Sequence, residues 1–98
     1  MSGRGGRRGA ARADKDILIV DDEESLAFFL QQGLLEVDPS WEVDTANTGE
    51  QAVVKISRSI YRLVIADLRM PGLNGLELLQ MVRALEPSTQ VILMTAYG

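Results

Sequence analysis

Three acids stand where they could share one task. Asp21 and Asp22 follow the apolar run Ile17-Leu18-Ile19-Val20, and Asp67 follows Leu63-Val64-Ile65-Ala66. A hydroxyl, Thr95, follows a third run, Val91-Ile92-Leu93-Met94. Short, β-branched, apolar runs of this length read as strands buried on both faces. Each therefore delivers an oxygen-bearing side chain to a strand's carboxyl end. In open parallel sheets, ligands bind beyond those ends, at the point where strand order reverses. Three carboxylates in one crevice repel one another and raise at least one pKa. A divalent cation removes the repulsion, and hard oxygen donors without His or Cys suit Mg²⁺ with several waters retained. A bound Mg²⁺ would draw a phosphoryl group towards Asp67, whose carboxylate can act as a nucleophile and carry an acyl phosphate. One Asp at a strand end is a weak signal. The acidic pair, an Asp-x-x-Met-Pro-Gly loop at 67–72 and the Thr after a third strand are strong in combination.

Composition narrows the chemistry further. The 98 residues contain no cysteine and no histidine, which removes disulfides, thiolate sites, His-based metal sites and His general bases. No segment reads as a secretory signal, and no apolar run approaches the roughly 20 residues of a membrane span. A cytoplasmic protein is expected. The net charge of −4 is uneven. Residues 1–13 hold Arg4, Arg7, Arg8 and Arg12 and no acid, so the rest stands near −8 once those four are set aside. This Arg/Gly-rich tail has too little apolar surface to offset its ordering entropy and is expected to be disordered. With no aromatic among the arginines, it reads as a solvated leader rather than a nucleic-acid arm.

The elements that position the acids alternate in type. After the first strand, Asp21 to Glu24 leads into an amphipathic helix with Leu26, Phe29, Leu30, Gly33, Leu34 and Val37 at helical spacing. Helix dipoles favour acids there, which accounts for Glu23 and Glu24 better than for Asp21 and Asp22. Asp38-Pro39-Ser40 is a turn, and Trp41 to Ala46 alternates as an edge strand does. A second helix follows with Ala52, Val53, Ile56 and Ile60 on one face, then the Asp67 strand and a loop closed by Asn74-Gly75. A third helix carries a stripe of Leu76, Leu79, Val82 and Leu85, and Val91 to Met94 is the last strand. The order βαβαβαβ predicts a doubly wound α/β domain over residues 14–98: a flavodoxin-like parallel sheet of order 2-1-3-4 with right-handed crossovers.

Four segments resemble the receiver domain of two-component response regulators. They are Ile17 to Glu23, Thr48-Gly49-Glu50-Gln51-Ala52, Asp67 to Gly75, and Thr95-Ala96. The resemblance covers residues 16–98, and the ending Met94 to Gly98 looks most like receivers of nitrogen-regulation-type transcriptional activators. It implies that Asp67 accepts a phosphoryl group from a sensor histidine kinase. It implies Mg²⁺ bound by Asp22 and Asp67 directly, by Asp21 mainly through water, and by the Arg69 carbonyl. The Thr95 hydroxyl and the amides of Arg69 and Ala96 would hold the phosphoryl oxygens, and the Arg69 side chain stands where the family tunes dephosphorylation. A receiver is a phosphoacceptor with at most self-phosphorylation and dephosphorylation chemistry, not an enzyme in the ordinary sense.

The family continues through a further helix, a fifth strand and a last helix, which bring a Lys to the phosphoryl group and an aromatic that moves with the Thr. This chain is expected to lack them, since Lys15 and Lys55 are its only lysines and neither follows a plausible site strand. Phosphorylation is then expected to be impaired. The fourth strand, apolar throughout, becomes an edge inviting pairing with a second copy as a homodimer or strand-exchanged oligomer. An alternative on the same fold is an interaction module that is not phosphorylated. A dehalogenase-type phosphatase is disfavoured because Arg69 stands where its second Asp belongs. A dinucleotide site is disfavoured because no Gly-x-Gly-x-x-Gly follows the first strand. Nucleic acid would be met only through an output domain outside these residues or, weakly, through the tail.

Overall fold

The computed structural model describes residues 13–95. The disorder expected of the tail therefore lies outside the described residues, except for Ala13, which opens the first strand. Strands and helices alternate as β1 (Ala13–Val20), α1 (Glu24–Val37), β2 (Val43–Ala46), α2 (Gly49–Arg58), β3 (Ser59–Asp67), α3 (Gly75–Leu85) and β4 (Gln90–Met94). All strand pairs are parallel and the order is β2-β1-β3-β4, the expected flavodoxin-like topology. Among the described residues, no helix is long and apolar enough to cross a membrane.

The central strands extend past their apolar runs. In β1, Asp14 pairs with Ile60 and Lys15 with Tyr61, so polar residues are drawn into the ladder by their neighbours on β3. The Lys15 ammonium lies 3.3 Å from the Asp44 carboxylate, and the Tyr61 hydroxyl donates to the same carboxylate at 2.6 Å. Burial, then this bond to Asp44, raises the Tyr61 pKa well above its ordinary value. At the other edge β2 is shorter than expected: Trp41 and Glu42 stay outside it, although the Glu42 carbonyl accepts the Asp16 and Ile17 amides. Ile60 belongs to β3 and not to the second helix, because α2 closes at Arg58 with the Ser59 amide on the Lys55 carbonyl.

The pleat divides the core into two layers. Leu18, Val20, Val64 and Ala66 pack with Ala52 and Ile56 of α2 and Leu78 and Val82 of α3. Ile17, Ile19 and Val43 pack with Ala27 of α1, joined by half-buried Leu30, Leu34, Leu63 and Ile65. β1 and β3 are thus covered on both faces, as their unbroken apolar runs require. The third apolar run is not: at the edge of the described sheet β4 leaves Ile92 exposed and Val91, Leu93 and Met94 half-buried.

Two helical faces are turned from their expected directions. On α1 the inward residues are Ala27, Leu30, Leu34 and Leu35, while Leu26, Val37 and Phe29 (75% exposed) face outward. On α3 Leu78 and Val82 are buried, Leu79 is half-buried, and Leu76 and Leu85 are exposed. Both helices carry apolar residues around most of their circumference, so spacing alone does not select a face. Close approach to the sheet does, and it places small Ala27 inward. Leu78→Ala should cost about 2–5 kcal/mol in urea unfolding, whereas Leu76→Ala, at a position 50% exposed, should cost about 0.5 kcal/mol or less. Equal losses would contradict this orientation of α3.

Candidate functional site

The register of β1 on β3 builds the site. Val20 lies opposite Ala66, so the next residues, Asp21 and Asp67, leave adjacent strands at the same end. Asp22 follows one position on. Carboxylate oxygens of Asp21, Asp22 and Asp67 lie within 4.8 Å of one another. They differ in setting: Asp21 is buried, Asp67 half-buried and Asp22 exposed.

Each acid is held by the backbone around it. The Asp21 amide donates to the Ala46 carbonyl at 3.0 Å, continuing the β1–β2 direction beyond the strand. The Asp21 side chain accepts the Glu23 amide at 2.9 Å. Glu23 occupies the N-cap of α1 and its own side chain caps nothing, so Asp21 satisfies a donor that a helix start leaves unpaired. The Asn47 side-chain amide reaches the Asp21 carbonyl at 3.4 Å from the loop after β2. Asp67 accepts the Arg69 amide on Oδ1 at 3.0 Å, which folds the chain back on the carboxylate. The Leu68 amide donates to the Met94 carbonyl at 2.8 Å, tying the same loop to β4. Gly75 closes the loop: a Cβ there would stand 2.4 Å from the Asp67 carbonyl oxygen, so any larger residue would push α3 off the strand end. α3 then starts on a capping box between Asn74 and Glu77.

Electrostatics single out Asp21. Burial is the main cause of its raised pKa; the Glu23 amide opposes the rise, and the charges of Asp67, Asp22 and Glu23 add to it. A buried carboxylate with two more carboxylates beside it is a good receptor for a hard divalent cation, because the cation offsets their mutual repulsion. The three carboxylates fit Mg²⁺ on donor chemistry, with room in its coordination for waters and a main-chain oxygen.

Of the residues singled out from sequence, Asp21, Asp22 and Asp67 come together. Thr95 follows Met94, the cross-strand partner of Asp67, and is exposed at the same end of the sheet. Arg69 lies exposed on the Asp67 loop with its amide on the Asp67 carboxylate. Ala96 lies outside the described residues. Asn47 and Glu50 were not singled out as site residues. Glu50 accepts the Leu73 amide at 3.4 Å, a link from α2 to the Asp67 loop. The Thr48-Gly49-Glu50 segment was visible as a motif, but nothing in it marked the loop, 23 residues on, as its target.

An acidic cluster at the switch point of a 2-1-3-4 parallel sheet defines a flavodoxin-like module of the receiver type. Residues 17–98 match the family model of the response regulator receiver domain, and the chain belongs to that family. It is 39% identical over 83 residues to the transcriptional regulatory protein ZraR of Klebsiella oxytoca, covering 85% of this chain and 18% of that protein. Among solved structures it is 42% identical to response regulator TrrA from Thermotoga maritima in complex with Mg(2+)-BeF, covering 86% of this chain and 71% of that one, with a TM-score of 0.77. TrrA in complex with the histidine kinase ThkA superposes with a TM-score of 0.75 at 42% identity and the same coverage. The chain thus spans under a fifth of ZraR and about seven tenths of the solved TrrA chain.

The Asp21 environment gives a signed expectation. A carboxyl whose folded pKa is raised binds its proton more tightly in the folded state, so stability falls as pH climbs from the unfolded value through the folded one and stays lower above it. Asp21→Asn keeps the acceptor for the Glu23 amide and removes the charge. In metal-free buffer the variant should be more stable than wild type at neutral pH, with the difference shrinking as pH falls through the acid range. A variant less stable than wild type at neutral pH would contradict this account of the cluster.

Proposed function

We propose that the chain is the phosphoacceptor module of a two-component pathway, with Asp67 taking the phosphoryl group from a sensor histidine kinase. The observation that carries this reading is the meeting of three carboxylates within 4.8 Å at the ends of β1 and β3, with the loop after Asp67 folding the Arg69 amide onto that carboxylate. The complexes of TrrA with a histidine kinase and with Mg(2+)-BeF support the kinase partner and the cation.

Asp67 acts as the nucleophile. The Arg69 amide on Oδ1 orients the carboxylate, and its second oxygen takes no part in that bond. As a carboxylate oxygen forms its bond to phosphorus, the P–N bond of the donor phosphohistidine breaks and the imidazole nitrogen keeps the bonding pair. The Arg69 amide then has a second use, donating to a phosphoryl oxygen; the Thr95 hydroxyl and the Ala96 amide would complete that cradle. Asp22, Asp67 and the Arg69 carbonyl would hold Mg²⁺, with Asp21 mainly through water. Bound there, Mg²⁺ supplies charge that offsets the negative phosphoryl oxygens and the carboxylates together. In this scheme the chain supplies the nucleophile, the phosphoryl cradle and the metal ligands, and the donor supplies the phosphoryl group and carries away the leaving group.

Incubation with Mg²⁺ and a small acyl-phosphate donor should add one phosphoryl group to the wild type by intact mass, and none to Asp67→Asn. Chelation of the cation should suppress the adduct. An unmodified wild type that circular dichroism shows to be folded would overturn the phosphoacceptor reading.

A second reading, pairing of two copies through β4, draws support from its place at the edge of the described sheet and from Ile92, 52% exposed on it. Sedimentation of the 98-residue chain should then show a dimer that Ile92→Lys dissociates. A concentration-independent monomer would remove this reading.

A further inference from the structure

The loop from Asp67 to α3 carries the amide that orients the proposed phosphoacceptor, so whatever holds the loop sets the site. Its two ends are secured by the main chain: Leu68 donates to Met94, and the Gly75 amide returns to the Leu68 carbonyl at 3.3 Å. Met70 is buried in the core layer beneath. Between Met70 and the Asn74 cap run Pro71, Gly72 and Leu73. Pro71 has no amide to donate. Gly72 is exposed and turns at φ +72, a conformation favouring glycine, so this part of the chain has little local restraint of its own.

α2 supplies a restraint from outside the loop. The Glu50 carboxylate accepts the Leu73 amide at 3.4 Å through Oε2, and the same oxygen would stand 3.1 Å from a Cβ placed on Gly72. One residue earlier, a Cβ on Gly49 would come within 2.4 Å of the Leu73 carbonyl oxygen. Two successive residues of the first turn of α2 thus form the seat on which Gly72 and Leu73 rest.

We propose that Glu50 is a positioning residue: its carboxylate latches the Gly72–Leu73 turn to α2 and thereby keeps the Arg69 amide on Asp67. The functional consequence rests on the phosphoacceptor reading of Asp67, whereas the latch itself does not. The competing account is that Glu50 only favours the positive end of the α2 dipole, as acids in first turns do.

Reach and charge separate the two accounts. Asp at position 50 keeps the charge but is one methylene shorter, and the bond to Leu73 is already near the limit of hydrogen-bond length. Gln keeps the length and an acceptor oxygen but loses the charge. The experiment is amide hydrogen exchange by NMR on the metal-free 98-residue chain, comparing wild type with Glu50→Ala, Glu50→Asp and Glu50→Gln. The latch predicts that Ala and Asp speed exchange at Leu73, and also at Arg69, four positions earlier on the loop, by roughly two- to tenfold, while Gln stays near wild type. Wild-type exchange in Asp with loss in Gln would overturn the proposal in favour of the dipole account. Unchanged exchange at Arg69 in every variant would overturn it as well. Phosphoryl uptake from the acyl-phosphate donor is then measured on the same four proteins and should fall in the same order. If exchange follows the predicted order but no protein, wild type included, gains an adduct, the latch stands and the phosphoacceptor reading fails.

Discussion

The parallel pairing of β1 with β3 is the constraint on which everything else depends. With Val20 set opposite Ala66, the first residue past each pair is an aspartate, and the two carboxylates have nowhere to go but towards each other. A shift of the register by one residue would exchange the two faces of the sheet and part the acids together. The packing of β1 and β3 in this register therefore positions the site as well. In this register Leu18 and Val64 lie in the layer under α2 and α3 while Asp21 and Asp67 meet at the strand ends.

That meeting is unfavourable by itself, and the surrounding chain absorbs part of the cost. Asp21 is 2% exposed, and burial and like charge both disfavour its ionised form. The Glu23 amide works against them by donating to the Asp21 carboxylate. In a capping box the N3 side chain would accept this N-cap amide, but N3 of α1 is Leu26. Here that amide is taken by a site residue, and the start of α1 and the ionisation of the site become coupled. Asp67 receives the same treatment from Arg69, on a loop instead of a helix start. Both acids are thus aimed by amides two residues downstream, the local geometry that Asp side chains readily adopt.

The Asp67 loop shows how a site on a loop can still be well defined. Glycine at position 75 allows α3 to start against the Asp67 carbonyl, and Met70 anchors the middle of the loop in the core. The remaining stretch leans on α2. An element with no residue in the acidic cluster thereby contributes to its geometry, and two central strand ends with a braced loop are the arrangement a preorganised acceptor needs.

Much of this was legible in the amino-acid sequence. Two unbroken apolar runs ending in aspartates pointed to the central strands of a parallel sheet, because a strand covered on both faces can be apolar throughout. The third run, β4, is equally apolar yet leaves Ile92 exposed at the edge of the described sheet. The alternation of elements, the candidate acids Asp21, Asp22 and Asp67 and the family resemblance followed from local pattern, and the order 2-1-3-4 from analogy with the flavodoxin-like fold. Strand ends, helix faces and long-range braces did not. β1 and β3 run past their apolar cores because Asp14 and Lys15 find partners only once β2 and β3 are beside them. α1 and α3 are apolar on more than one side, so which residues face the sheet was settled by how closely each helix can approach it. The Glu50–Leu73 contact joins residues 23 positions apart, a relation no periodicity encodes. Local pattern reports what a residue prefers; only the packed chain decides which of several acceptable faces and partners it receives.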